Sequence, residues 1–102
     1  MAVTPVTFFR GAASTTSTTL YTGPATGTYI ITNIAITNTA SSAATATITI
    51  DGTAYVSGIS IAANSTTAID LKQPVVSTGT AKLIAGFASA TTVNFHIVGV
   101  TI

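Results

Sequence analysis

Residues Thr28–Ile50, TYIITNIAITNTASSAATATITI, decide the fold. In the second half Ala44, Ala46, Ile48 and Ile50 alternate with Thr45, Thr47 and Thr49, the period of a strand with one face buried. In the first half Ile30, Ile34 and Ile36 share one side, interrupted there by Thr32, with Asn33 and Thr37 on the other. Asn38–Ala43 is small and polar and supplies the turn between the two arms. Threonine carries much of the exposed side, which suits a pleated sheet and not a helix.

The same alternation extends in both directions. Before it, Leu20–Thr22 begins a short strand, and the turn Gly23-Pro24-Ala25-Thr26-Gly27 predicts a hairpin into the first arm. After it, Asp51-Gly52 is a two-residue hairpin signal, because a type I′ turn needs residues that tolerate positive φ. Ala54–Ile61 reads as a strand with a bulge near Gly58. In Thr66–Leu71, Ile69 and Leu71 face inward, Pro74 closes the segment, and Val75-Val76 is a brief extended piece. Ala81, Leu83, Ala85 and Phe87 share one face of the next strand. In the last strand Val93, Phe95 and Ile97 align on one side and Val98, Val100 and Ile102 on the other. Either a bulge near Ile97–Gly99 shifts the phase, or both faces are covered, one by the core and one by a neighbouring subunit.

No segment has a convincing 3.6-residue apolar period. The expectation is an all-β domain: one antiparallel β-sandwich of about eight strands, jelly-roll-like first and immunoglobulin-like as the alternative. Residues 1–11 form an extended arm or edge strand and 12–102 the sandwich. Pro5 cannot donate to a ladder, which favours an edge. Phe8 and Phe9 are adjacent, so in a regular strand they face opposite sides, one toward the core and one toward a partner or solvent; the alternative is that both pack beneath the arm.

Composition limits the function. Only 5% of the 102 residues are charged (Arg10, Lys72 and Lys82 against Asp51 and Asp70), while 47% are hydrophobic, which argues against disorder. Three cations cannot neutralise many phosphates, so no nucleic-acid partner is expected. No apolar run reaches the ~20 residues of a spanning helix. MAVTPVTFF lacks the basic start and apolar core of a signal peptide. A small outer-membrane barrel would want longer strands and aromatic girdles, and the chain has no Trp. No membrane partner is therefore expected. Low charge permits close association between subunits.

Chemistry-bearing motifs are scarce. His96 stands alone, no Gly-x-Ser-x-Gly elbow marks a nucleophilic serine, and one His with two separated Asp gives no metal-ligand spacing. No catalytic, metal or cofactor residues are assigned. Asn64-Ser65-Thr66 is formally a glycosylation acceptor and reads as a plain turn. Thr45, Thr47 and Thr49 resemble one rung of an ice-binding face, without the repetition over strands that such faces need. Tyr21, Tyr29 and Tyr55 are the aromatics a carbohydrate site would use.

Four stretches taken together, FFRGAASTTSTTLYTGP (8–24), TNIAITNTASSAATATITIDG (32–52), ISIAANSTTAIDLKQPVV (59–76) and VNFHIVGVTI (93–102), resemble the small β-sandwich structural proteins of tailed bacteriophages. The resemblance covers nearly the whole chain and consists of strands and turns, with no catalytic signature. It implies a capsid decoration or minor virion protein, many copies on the particle, no enzyme activity and no cofactor. It implies as partners the major capsid protein or other virion proteins, and a small homo-oligomer, a trimer by preference, at the capsid surface. The rival within the virion is a tail-tip or fibre module. The rival of another class is a stand-alone carbohydrate- or ice-binding module. The expected contact residues are Val3, Phe8, Phe9 and Arg10, with Asp51 and Gly52 as turn residues.

Overall fold

The computed structural model describes residues 4–102, and Val3 lies outside them. Among the described residues eight strands follow one another without a helix: β1 (Thr4–Ala12), β2 (Thr18–Thr22), β3 (Thr26–Asn38), β4 (Ala44–Ile50), β5 (Thr53–Ile61), β6 (Ser65–Thr78), β7 (Leu83–Ala88) and β8 (Val93–Thr101). They form two four-stranded antiparallel sheets, ordered β1-β8-β3-β6 and β2-β7-β4-β5. Six of the seven connections change sheet; only β4–β5 stays within one. That order is the eight-stranded jelly roll, the first of the two expected sandwiches.

The topology corrects the local reading of Thr28–Ile50. β3 and β4 are long strands joined by a small-residue loop, but they lie in different sheets: β3 pairs with β6 and β8, β4 with β5 and β7. The expected hairpin through Gly23–Gly27 is likewise a crossing between sheets, because β2 pairs with β7. The Asp51-Gly52 hairpin is real, with both residues at positive φ (54° and 76°) and Ile50 opposite Thr53. Gly58, at φ 60°, sits in the expected irregularity of β5. Asn64, also at positive φ, occupies the β5–β6 turn.

Bulges account for most phase errors in the sequence reading. In β1 the register slips between Thr7 and Phe9, so Phe8 is the extra residue. Phe8 is buried and Phe9 half-buried, and both pack against the core, so they do not face opposite sides. In β3 a slip at Thr32 puts Tyr29 and Ile31 inward on one side of it and Ile34, Ile36 and Asn38 inward on the other. Ile30 therefore faces out and is not a companion of Ile34 and Ile36. A third bulge in β2 turns both Leu20 and Tyr21 toward the core. β8 itself keeps strict alternation, with Val93, Phe95, Ile97 and Gly99 buried; the slip expected there belongs to its neighbours β1 and β3 at the same level.

Two further corrections concern β6 and β7. β6 is one strand of 14 residues that continues through Pro74. This is possible because β6 is an edge strand and proline removes only a donor facing away from the sheet. In β7 the core face is Ile84, Gly86 and Ala88, while Leu83, Ala85 and Phe87 face outward. Gly86 qualifies as a core position because the Thr47 carbonyl and the Leu20 side chain occupy the space a Cβ would need.

The core is isoleucine-rich in the middle and different at each end. At one end Phe8, Tyr21 and Tyr29 form a tilted aromatic trio with ring centroids 4.7–5.2 Å apart; such pairs add about 0.5–1.5 kcal/mol each beyond their burial. At the other end Asn38 is fully buried, and its amide holds the loops together.

Candidate interaction surface

The outer face of the sheet β1-β8-β3-β6 can be assembled row by row from the strand registers. One row runs Pro5, Val100, Ile30, Pro74 across all four strands. Val98 lies on one side of it, and Val76, 54% exposed, on the other. Val98 belongs to a mixed row with Thr7, Asn33 and Asp70; next along the strands come Arg10, His96, Ala35 and Ala68, and then Ala12, Asn94, Thr37 and Thr66. One apolar row, flanked by Val98 and Val76, therefore crosses this face, with Pro5, Pro74 and Val76 exposed and Ile30, Val98 and Val100 half-buried. The far end is small and polar, closed by the Thr37–Thr66 hydroxyl pair at 2.9 Å.

Of the residues expected to make contacts, only Arg10 lies on this face, exposed beside His96. Phe8 is a core residue, and half-buried Phe9 packs against the core beside Gly11. Val3 lies outside the described residues. Sequence reading missed Ile30, Pro74 and Val76 as surface residues. Adjacent apolar pairs such as Ile30-Ile31 and Val75-Val76 were the available signal, since neighbours in a strand cannot share a face.

The two margins of this sheet resist strand addition. β1 carries Pro5, Arg10 and a bulge; β6 carries Asp70, Lys72 and Pro74. Charge, proline and bulges on edge strands are the means by which sheets avoid pairing edge to edge. Three of the five charged residues and two of the three prolines thus stand on these two strands. Asp70 is held on the outer face by Asn33 Nδ2, which donates to its Oδ1 at 2.8 Å.

The remaining charges close the hairpin end of the sandwich. Lys82 Nζ lies 3.4 Å from Asp51 Oδ2 in a half-exposed pair, worth at most about 1 kcal/mol in such a setting. Below it Tyr29 donates its hydroxyl to the Lys82 carbonyl at 2.9 Å. Burial, helped by Tyr21 and Asp51, pushes the Tyr29 phenol up to about 12. A shallow cleft of about 280 Å³ opens beside the hairpin, lined by Ile50, Asp51, Tyr55, Gln73 and Pro74 among others.

His96 has Arg10 and Ala35 as cross-strand neighbours, so neither flank supplies a carboxylate. Among the described residues no three His, Cys, Asp or Glu side chains converge as metal ligands, and no helix is long and apolar enough to cross a membrane. On the other sheet Thr47 Oγ1 accepts from the Gly58 amide at 3.0 Å and Thr49 Oγ1 reaches the Ala85 carbonyl at 3.5 Å. Two of the three threonine hydroxyls in that row are thus tied to the protein's own backbone.

Fold and surface together define a jelly-roll domain in which the sheet β1-β8-β3-β6 carries an apolar row on its outer face and has blocked edges. Comparison with solved structures matches 99% of the chain to a protein from the crystal structure of the T13 IBDV viral particle, at a TM-score of 0.57 and 14% identity. The chain spans 31% of the length of that protein. No protein family profile and no curated protein sequence matches it.

Proposed function

We propose that the chain is a non-enzymatic structural subunit of a virus particle: a capsid decoration protein, of a tailed bacteriophage by its sequence resemblance, bound to the assembled shell as a small homo-oligomer. The observation that carries this reading is the jelly roll itself, matched over nearly the whole chain to a protein of a viral particle. The surface supports it. An apolar row on the outer face together with only five charged residues suits a subunit that works against other protein, here the major capsid protein or its own copies.

A tail-tip or fibre module is the second reading. The cleft beside the hairpin favours it, because an exposed Tyr55 next to the Asp51 carboxylate and the Gln73 amide has the chemistry of a saccharide contact. Peptide counting by mass spectrometry on purified particles separates the two. Hundreds of copies per particle are expected for decoration, a few to a few dozen for a tail module, and absence from particles refutes both.

A further inference from the structure

We infer that the outer face of β1-β8-β3-β6 takes two further copies of this chain, closing a three-membered ring about an axis parallel to the strands, with Arg10 of each subunit against Asp70 of the next. This names the interface of the homo-oligomer proposed above and rests on that reading.

Three observations point to a ring of this kind. The first is the apolar row Pro5–Val100–Ile30–Pro74, flanked by Val98 and Val76, which crosses all four strands on the outer face, with Pro5, Pro74 and Val76 exposed and Ile30, Val98 and Val100 half-buried. The second is the blocking of both edges, β1 by Pro5 and Arg10 and β6 by Asp70, Lys72 and Pro74. Copies that meet at these margins do so through side chains and the apolar face, not by extending a ladder.

The third is charge. Any ring about an axis parallel to the strands sets the β1 margin of one subunit beside the β6 margin of the next and preserves height along the strands. Register carries the level of Arg10 through His96 and Ala35 to Ala68. Asp70 is one pleat step, about 7 Å, from that level and Lys72 two steps. Arg10 therefore reaches the carboxylate before it meets the ammonium. No ion pair within the chain engages either Arg10 or Asp70 among the described residues, and Asp70 is already oriented on this face by Asn33.

Sheet width selects the number of copies. Four strands at about 4.8 Å make a sheet roughly 19 Å wide. Three such sheets, faces inward, stand about 5.5 Å from their common axis, close to half the ~10 Å spacing of packed sheets, so one layer of side chains fills the middle. Four copies would leave the faces almost 10 Å from the axis and the centre open. Two copies stacked face to face would hold their margins a full ~10 Å apart, whereas at the corner of a three-membered ring the two margins are neighbours.

The test uses the recombinant chain in solution, without particles, so its failure would leave virion membership untouched. Light scattering should give three times the 10.1 kDa chain mass at micromolar concentration. Arg10→Asp and Asp70→Arg should each weaken association about tenfold, and the double exchange should restore it to within about threefold. Val98→Asp should give a monomer with an unchanged far-UV β spectrum, which shows that the interface and not the fold was lost. A monomeric or dimeric wild type overturns the ring. So does a double exchange no better than either single variant while all keep the β spectrum.

Discussion

Asn38→Ala should be the most damaging substitution at the loop end of the sandwich. The side chain is fully buried, and its Nδ2 donates to the Ser42 carbonyl at 2.8 Å and the Ile61 carbonyl at 3.2 Å. Its Oδ1 accepts from the Ala40 amide at 3.0 Å and, at the long distance of 3.4 Å, from the Thr92 hydroxyl. One amide thus ties the β3–β4 loop to the end of β5 and to the β7–β8 loop. The Thr92 hydroxyl can turn to water, so it contributes little. The bonds to Ser42 and Ala40 are each worth about 1 kcal/mol net, and leaving the buried Ile61 carbonyl without its donor costs about 1–2 kcal/mol more. The total is roughly 3–4 kcal/mol, a large part of the 5–15 kcal/mol that stabilises a typical domain. Urea unfolding should show that loss, and a thermal scan a midpoint lower by roughly 12–25 °C. The control is Asn33→Ala, which removes one exposed bond to Asp70 and should cost under about 1 kcal/mol. If Asn38→Ala costs less than about 1 kcal/mol, the amide does not hold the loops and water replaces it freely.

Three other outcomes follow from particular contacts. A Cβ at Gly52 meets nothing within 4 Å, so Gly52→Val should lose about 1–2 kcal/mol through its φ of 76° alone; Asp51→Asn keeps the turn and gives up only the half-exposed Lys82 pair, a change under about 1 kcal/mol. Gly99→Ala should be far worse, about 3 kcal/mol by chemical denaturation, since its Cβ would run into the Ile30 carbonyl and approach the Phe8 ring to 2.6 Å. Tyr29 gives the pH dependence: its native pKa of about 12 lies above the ordinary 10, so its contribution is complete below pH 10 and lost as pH rises through 12. That amounts to about 2–3 kcal/mol, visible as a falling urea midpoint between pH 10 and 12 that Tyr29→Phe flattens.

Strands and the one true hairpin were legible because they depend on local chemistry. Asp51-Gly52 needs only two residues that accept positive φ, and the Thr/Ile alternation of Thr45–Ile50 fixes one buried face without reference to any partner. Sheet membership was not legible. Alternation says that β3 and β4 each bury a face but not that the loop between them crosses from one sheet to the other. Bulges hid the rest. An extra residue at Phe8 or Thr32 inverts every later assignment in its strand, and nothing in the FFR or ITN triplets marks the slip. Asn38 read as a turn residue because a buried amide and an exposed one look the same until the loops around it are placed. Of the outer face of β1-β8-β3-β6, Arg10 was singled out from the sequence and the apolar row was not. Its members are scattered over four strands and meet only through the registers of β1, β3, β6 and β8.

The proposal that this jelly roll is a structural subunit of a virus particle is tested most directly by cryo-electron microscopy of virus particles assembled in the presence of this chain. Density is expected on the outer shell for an eight-stranded sandwich with Cα extents of 45 × 23 × 17 Å. It should occur in groups of three with β1-β8-β3-β6 turned inward. A well-resolved particle with every density assigned to other chains, and none to this one, would contradict it.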